Sequence, residues 1–152
     1  MMVITCATAQ HLAQIVQIET QSFADPWSDT LLRQMVSSPD VLFNVALLDG
    51  RVVGYIVLRT IQDEAEIYNL AIVPVARRQG IARQLLQNTL CMINGAGVCA
   101  VYLEVRAKNI AAIQLYQAAG FAQVGVRPGY YTNPADDAIL MCLLSDPRSE
   151  DN

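Results

Sequence analysis

Leu12, Ile15 and Val16, joined by Glu19, fall at helical spacing behind Thr8, so the chain opens on a helix capped by Thr8 with its apolar stripe turned inward. Pro26-Trp27-Ser28 interrupts that pattern. Ser28 is a good N-cap and Asp29 suits a first turn, which starts a short second helix carrying Leu31, Leu32, Met35 and Val36 and ending before Ser38-Pro39. The period then changes. Val41 to Leu48 and Arg51 to Thr60 are β-rich runs joined by Asp49-Gly50, a pair that supplies the positive φ angles of a type I′ hairpin. A third strand is expected from Ala65 to Val73. From Gly80 onward, Ile81, Ala82, Leu85, Leu86, Leu90 and Ile93 restore helical spacing, which ends at Asn94-Gly95. Cys99 to Val105 reads as a strand, and Asn109 to Ala119 as a helix stopped at Gly120, with Phe121 placed to pack back on its last turn. Two strands, near Phe121 to Val126 and Asp137 to Leu144, flank a Pro128-Gly129-Tyr130-Tyr131 loop. Two helices, two strands and then βαβαββ imply an α/β chain, a mixed sheet with helices on its faces.

Length makes this one domain, expected over residues 1–145, with a loose polar tail over 146–152. A chain of this size buries roughly 68–70% of its unfolded surface and needs no staples. Cys6, Cys91, Cys99 and Cys142 form no C-x-x-C pair, and with a single His no zinc site is expected. They read as small apolar residues in a reducing cytosol. Hydrophobic residues make up 53% of the chain, yet every apolar run is broken before the ~20 residues that span a bilayer. The first residues lack the basic region and long apolar stretch of a signal peptide. These features predict a soluble cytoplasmic protein, away from membranes, that is a monomer or a weak dimer.

The net charge is −4, unevenly spread. Ile67 to Ala135 holds Arg77, Arg78, Arg83, Arg106, Lys108 and Arg127 against one acid, Glu104, a balance of +5, and the remainder is −9. Charge blocks often serve only to solvate a surface. Read functionally, the basic segment suits a polyanion and the acidic remainder a cationic substrate. Direct nucleic-acid binding is not expected at a pI near 4.8 without a basic stripe.

Arg77-Arg78-Gln79-Gly80-Ile81-Ala82 joins the apolar Ile72-Val73-Pro74 to an amphipathic helix. First-turn N–H groups lack intrahelical partners and carry the positive end of the helix dipole, so this junction offers an anion a site. Gly80 lets the backbone come close. Taken alone, the stretch is equally a solvated Arg-rich cap. Its three arginines, Arg77, Arg78 and Arg83, suit a pyrophosphate better than a carboxylate. The Lys-Ser/Thr end of a P-loop and a full G-x-G-x-x-G are both missing, which disfavours nucleotide hydrolysis and a Rossmann site. In Tyr102-Leu103-Glu104-Val105-Arg106, alternation sets Glu104 on the face opposite Leu103 and Val105. It is a solvent-facing strand residue or a functional acid. Asn109 and Tyr116 stand two helical turns apart on one face. Asn109 also fits as a plain N-cap, and Tyr116 as a core aromatic with its hydroxyl at the rim.

Taken together, Phe23-Ala24-Asp25-Pro26-Trp27-Ser28, Tyr68-Asn69-Leu70-Ala71-Ile72, the Arg77 to Ala82 loop, Leu103 to Asn109, Leu115-Tyr116, Gly120-Phe121 and Tyr130-Tyr131 resemble the GNAT superfamily of N-acetyltransferases. Within it the chain is similar to the ribosomal-protein-alanine N-acetyltransferases of the RimI type. The resemblance implies the GNAT acyl-CoA N-acyltransferase fold, a mixed sheet of about six to seven strands with about four helices, and acetyl-CoA as donor without a metal. It implies that Leu70, Ala71 and Ile72 present backbone groups to the pantetheine arm, and that Arg77, Arg78, Gln79, Gly80, Ile81 and Ala82 cradle the pyrophosphate. By the same carry-over Asn109 contacts the cofactor, Glu104 is the general base and Tyr116 the general acid. Trp27, Tyr130 and Tyr131 would lie on the peptide side, the tyrosines as an aromatic pair near its entrance. Ala82 stands where many relatives have Gly, which leaves less room beside the phosphate.

The acceptor implied is the N-terminal alanine of a basic small-subunit ribosomal protein, number eighteen, in keeping with the acidic remainder of the chain. Two other readings stay open. The same fold and donor could serve a lysine side chain, a polyamine or another small amine, or the chain could be a noncatalytic acyl-CoA-binding module.

Overall fold

The computed structural model describes residues 1–145; the tail expected over 146–152 lies outside the described residues. Strands β1 (Met2–Cys6), β2 (Val41–Leu48), β3 (Arg51–Ile61), β4 (Glu64–Ile72), β5 (Ala100–Arg106), β6 (Ala122–Thr132) and β7 (Ala135–Leu144) form one sheet in the order β1-β2-β3-β4-β5-β7-β6. Helices α1 (Leu12–Ser22), α2 (Asp29–Ser37), α3 (Ile81–Gly95) and α4 (Ile110–Ala118) complete it. Among the described residues only β4 and β5 pair in parallel.

Local chemistry sets most boundaries. The β2–β3 turn has Asp49 at φ 50° and Gly50 at φ 83°, the pair of positive angles that its sequence predicts. The Ser28 hydroxyl accepts the Leu31 N–H at 3.1 Å to start α2, and the Asn109 side chain accepts the Ala112 N–H at 3.2 Å to start α4. Phe121 packs edge-on against Tyr116, ring centroids 5.5 Å apart, as its place after Gly120 implies. Thr8 leads a 3₁₀ turn, Ala9–His11, and so stands one turn ahead of α1.

Two expectations are corrected. The two-helix start omits β1, a five-residue edge strand paired antiparallel with β2. The Pro128-Gly129-Tyr130-Tyr131 loop is instead part of β6. Pro128 is tolerated there because β6 is an edge strand and its register with β7 shifts between Arg127 and Tyr131.

The sheet is covered unequally. On one face α1 and α2 bury Ile15, Ile18 and Leu32 against Phe43, Tyr55 and Val57. On the other, α3 and α4 bury Leu85, Leu86 and Tyr116 with Ile56, Leu58, Leu103 and Phe121. Such side chains contribute about 1.5–3 kcal/mol each when fully buried. The first pair of helices contacts β2, β3 and β4, so the same face of β5, β7 and β6 is left more open, with Tyr102 exposed on β5 and Arg127 on β6.

Packing is tightest where β3 meets β4 and α3. A Cβ on Gly54 would lie 2.4 Å from Ile72 Cδ1 and 2.9 Å from the Ala71 carbonyl oxygen. Gly54→Ala is therefore expected to destabilise the fold by about 1–3 kcal/mol, seen as a lower urea midpoint. An unchanged midpoint would show that the strand pair yields freely.

Candidate active site

β4 and β5 pair only from Glu64 opposite Ala100 to Ile67 opposite Leu103, and then part. On its other side β4 carries an irregularity at Tyr68, where the register with β3 passes from Val57 opposite Asn69 to Leu58 opposite Ile67. The edge of β4 that faces β5 thus has no strand partner beyond Ile67. A cleft of about 530 Å³ fills the opening. Phe23, Asp25 and Trp27 line it from the α1–α2 loop, Asn109, Ala112 and Tyr116 from α4, and Tyr130 and Tyr131 from β6. Those elements lie on both faces of the sheet, so the opening joins one face to the other.

Leu70, Trp27, Glu104, Asn109, Tyr116, Tyr130 and Tyr131 all meet at this cleft. Ala71 and Ile72 follow Leu70 on β4, and neither lines the cleft, nor does the Arg77 to Ala82 loop. Glu104 lies opposite the buried Leu103 and Val105, as alternation requires. Its carboxylate sits 3.3 Å from Arg127 Nε on β6, with Glu104 24% and Arg127 56% exposed. Glu66, another cleft residue, has its carboxyl pushed above the usual range by burial and by Glu104, with Arg127 acting in the opposite direction. Burial, then Tyr131, raises the Tyr116 phenol well above an ordinary tyrosine, so it stays protonated through neutral pH. Tyr131 is raised by burial, then by Glu104 and Tyr130, against Arg106. The Tyr130 and Tyr131 rings meet edge-on at 5.0 Å, and Trp27 meets Tyr68 in the same way at 5.9 Å.

The sequence reading missed what Glu19 does. It placed this residue on the helical stripe of α1, but the carboxylate is buried, 1% exposed, and gathers donors from three other segments. It accepts the Tyr55 hydroxyl at 2.5 Å, the Asn69 side-chain amide at 2.6 Å and the Trp27 N–H at 3.2 Å. The α1–α2 loop is thereby tied to β4 beside the cleft. A charged residue on an otherwise apolar stripe was the available signal.

At the head of α3 the chain turns through two left-handed positions, Arg78 at φ 64° and Gly80 at φ 78°. A Cβ on Gly80 would meet nothing within 4 Å, so its φ, not crowding, selects glycine, and its backbone faces open space. Arg77, Arg78, Gln79 and Arg83 are exposed, while Ile81 is buried and anchors the first turn. Arg77 Nε donates to the Ile72 carbonyl at 3.2 Å, which fastens the turn to the end of β4. Among the described residues no side chain caps the first turn of α3, and exposed arginines stand beside it, a donor set of the kind that suits a diphosphate. Among the described residues no cluster of His, Cys, Asp and Glu could hold a metal ion, and no helix is long and apolar enough to cross a membrane.

A parted β4–β5 pair, an exposed arginine-rich turn at the head of α3 and a buried tyrosine on α4 agree with the expected acyl-CoA N-acyltransferase fold. Residues 12–121 match the model of the acetyltransferase (GNAT) family, and the chain belongs to that family as an acetyl-CoA-dependent N-acetyltransferase. It is 34% identical over 128 residues to the [ribosomal protein bS18]-alanine N-acetyltransferase of Escherichia coli strain K12, which covers 83% of this chain and 86% of that protein. A putative [ribosomal protein bS18]-alanine N-acetyltransferase of Bacillus subtilis strain 168 is 30% identical over 87% of this chain and 88% of its own. The crystal structure of the ribosomal-protein-S18-alanine N-acetyltransferase from Escherichia coli matches with a TM-score of 0.88 at 32% identity, covering 95% of this chain and 94% of that one. Ard1 from Thermoplasma volcanium matches with the same TM-score at 25% identity, over 95% and 98%.

Proposed function

We propose that this enzyme acts in the cytoplasm, as a single domain over residues 1–145, to acetylate the N-terminal alanine of ribosomal protein bS18. The acceptor assignment is carried by the 34% identity, over 83% of this chain, to a relative named for that activity. The cleft supports it. Its wall is aromatic, with Trp27 of the α1–α2 loop edge to face with Tyr68 of β4, and Tyr130 with Tyr131 on β6, and suits a peptide end. The α3 turn would hold the pyrophosphate of acetyl-CoA through Arg77, Arg78, Gln79, Gly80, Ile81 and Ala82, with Asn109 nearer the thioester. The free edge of β4 at Leu70, Ala71 and Ile72 would carry the pantetheine arm. Donor and acceptor then approach the opening from opposite faces of the sheet.

An α-amine with a pKa of about 8 reaches the enzyme mostly as the ammonium. Glu104 takes its proton, directly or through water, and the nitrogen lone pair attacks the thioester carbonyl. Charge gathers on the carbonyl oxygen, where a β4 N–H near Ala71 or Ile72 can contribute roughly 3 kcal/mol. As the C–S bond breaks, the nitrogen's second proton would leave to water, and Tyr116 would give its phenolic proton to the departing thiolate and regain one from solvent. Burial keeps Tyr116 protonated for this role, and the same shift makes it a weaker acid. With a thiol pKa of about 8.5 the leaving group is already good, so the base matters more than the acid.

Incubation with acetyl-CoA and two basic peptides, one with a free N-terminal alanine and one α-blocked but containing lysine, is expected to place acetyl on the free alanine alone, read by mass spectrometry. Modification of the lysine in the blocked peptide would overturn the acceptor assignment. Binding of acetyl-CoA without turnover of either peptide would also count against it and favour another amine or a noncatalytic binding module.

A further inference from the structure

We propose that Arg127 is a positioning residue for Glu104: from the edge strand β6 it fixes the direction of the carboxylate and offsets the charge that Glu66 sets beside it. Three observations carry this. The Arg127 Nε stands 3.3 Å from Glu104 Oε1, across the uncovered half of the sheet. Arg106, the guanidinium that lines the cleft, is committed elsewhere: it donates to the carbonyls of Pro134 at 2.7 Å and Asn133 at 3.2 Å and lies over the Tyr131 ring at 4.2 Å. Glu66 reaches the same cleft from β4, so two carboxylates approach each other with Arg127 bearing on both.

Geometry holds Arg127 in place. Its guanidinium carbon lies 5.9 Å from the centroid of the Tyr130 ring, which braces the side chain on the aromatic wall. It sits just before the point where β6 shifts register against β7, so the shift helps aim both Arg127 and the tyrosine pair at the cleft. The ionisable groups that line the cleft with Glu104 are Glu66 and Tyr68 from β4, Arg106 two residues on along β5, Tyr116 from α4, Tyr130 and Tyr131 from β6, and Asp25 from the α1–α2 loop, with Arg127 of β6 paired to Glu104. An incoming ammonium meets a carboxylate whose charge is balanced by a half-exposed guanidinium that can swing aside. Arg127 therefore keeps the carboxylate oriented until the acceptor replaces it. Without Arg127 the two carboxylates face each other with less compensation, and Glu66 loses the cation that draws its raised carboxyl back down.

This inference rests on Glu104 being the base, and the test separates the two. Arg127→Gln, Arg127→Lys, Glu104→Gln and the Arg127→Gln/Glu104→Gln double variant are assayed with acetyl-CoA and the alanine-initiated basic peptide at pH 6 and pH 8. Melting temperatures are recorded alongside. Arg127→Gln is expected to lower kcat about 10-fold at pH 8 and further at pH 6, with an unchanged KM for acetyl-CoA and an unchanged melting temperature. Arg127→Lys should recover most of that loss. In the Glu104→Gln background, Arg127→Gln should add little. An impaired Glu104→Gln enzyme together with an Arg127→Gln enzyme of wild-type kcat and pH profile overturns the positioning role alone. So does an Arg127→Gln loss equal at both pH values and fully additive with Glu104→Gln. Wild-type turnover by Glu104→Gln overturns the base assignment and the positioning role with it.

Discussion

Glu104→Gln lowers kcat by about 10²–10⁴ while acetyl-CoA affinity stays within about twofold of wild type. The substitution keeps the size and planarity of the side chain, so the β5 backbone and its ladder to β7 have no cause to move. What changes is proton affinity: an amide cannot take the ammonium proton, and its NH₂ group sets a donor against Arg127 where the carboxylate accepted. Acetyl-CoA binding is assigned to the α3 turn and the free edge of β4, which Glu104 does not form, so donor affinity is the internal control. Single-turnover kinetics with the alanine-initiated peptide, beside calorimetric titration of acetyl-CoA, distinguishes the two effects. Wild-type turnover would remove Glu104 from its role. An equal loss of acetyl-CoA affinity would mean that the substitution disturbs the parted strands. Tyr116→Phe is expected to cost less than Glu104→Gln, because a thiolate departs readily without a proton.

The elements easiest to read in the sequence are those that local chemistry defines. Asp49-Gly50, Ser28 and Asn109 act through their own torsions or through N–H groups within three residues, and the hairpin, α2 and α4 form where those residues predict. Alternation alone set Glu104 against Leu103 and Val105. β1 was not legible because five residues are too few to show a period and its evidence is its pairing with Val45 to Leu48 and Asn44, some forty positions later. β6 was cut short because Pro128 and Gly129 read as a turn, and only the edge position of the strand makes them acceptable. At the cleft, the resemblance to GNAT enzymes named residues that do converge, including Glu104, Asn109, Tyr116 and the tyrosine pair. It did not reveal Arg127 on Glu104 or Glu66 beside it, since ion pairs across β5, β7 and β6 depend on register that a periodic pattern does not carry.

Glu19 is the strongest case of such long-range chemistry, and Glu19→Ala is expected to lower stability by about 3–5 kcal/mol, or roughly 10 °C in Tm. Its partners lie 8, 36 and 50 residues away along the chain. A carboxylate can accept from all three donors; alanine leaves the buried Tyr55 hydroxyl and the part-buried Asn69 amide and Trp27 N–H without their shared acceptor. Burial, then Glu19, raises the Tyr55 phenol, so that hydroxyl keeps its proton and remains a donor. Glu19→Gln should cost less than alanine but not restore wild-type stability, because its NH₂ group meets donors where oxygen accepted. The functional effect follows from where the network ends. Trp27 and the Phe23 to Asp25 stretch line the part of the cleft proposed for the peptide, and the α3 turn does not line the cleft, so KM for the alanine-initiated peptide should rise more than KM for acetyl-CoA when both are measured well below the new Tm. Thermal unfolding with steady-state kinetics at 15 °C checks both parts. A wild-type Tm for Glu19→Ala would show that these donors find other partners, and equal changes in the two KM values would show that α1 supports the whole cleft instead of its peptide wall.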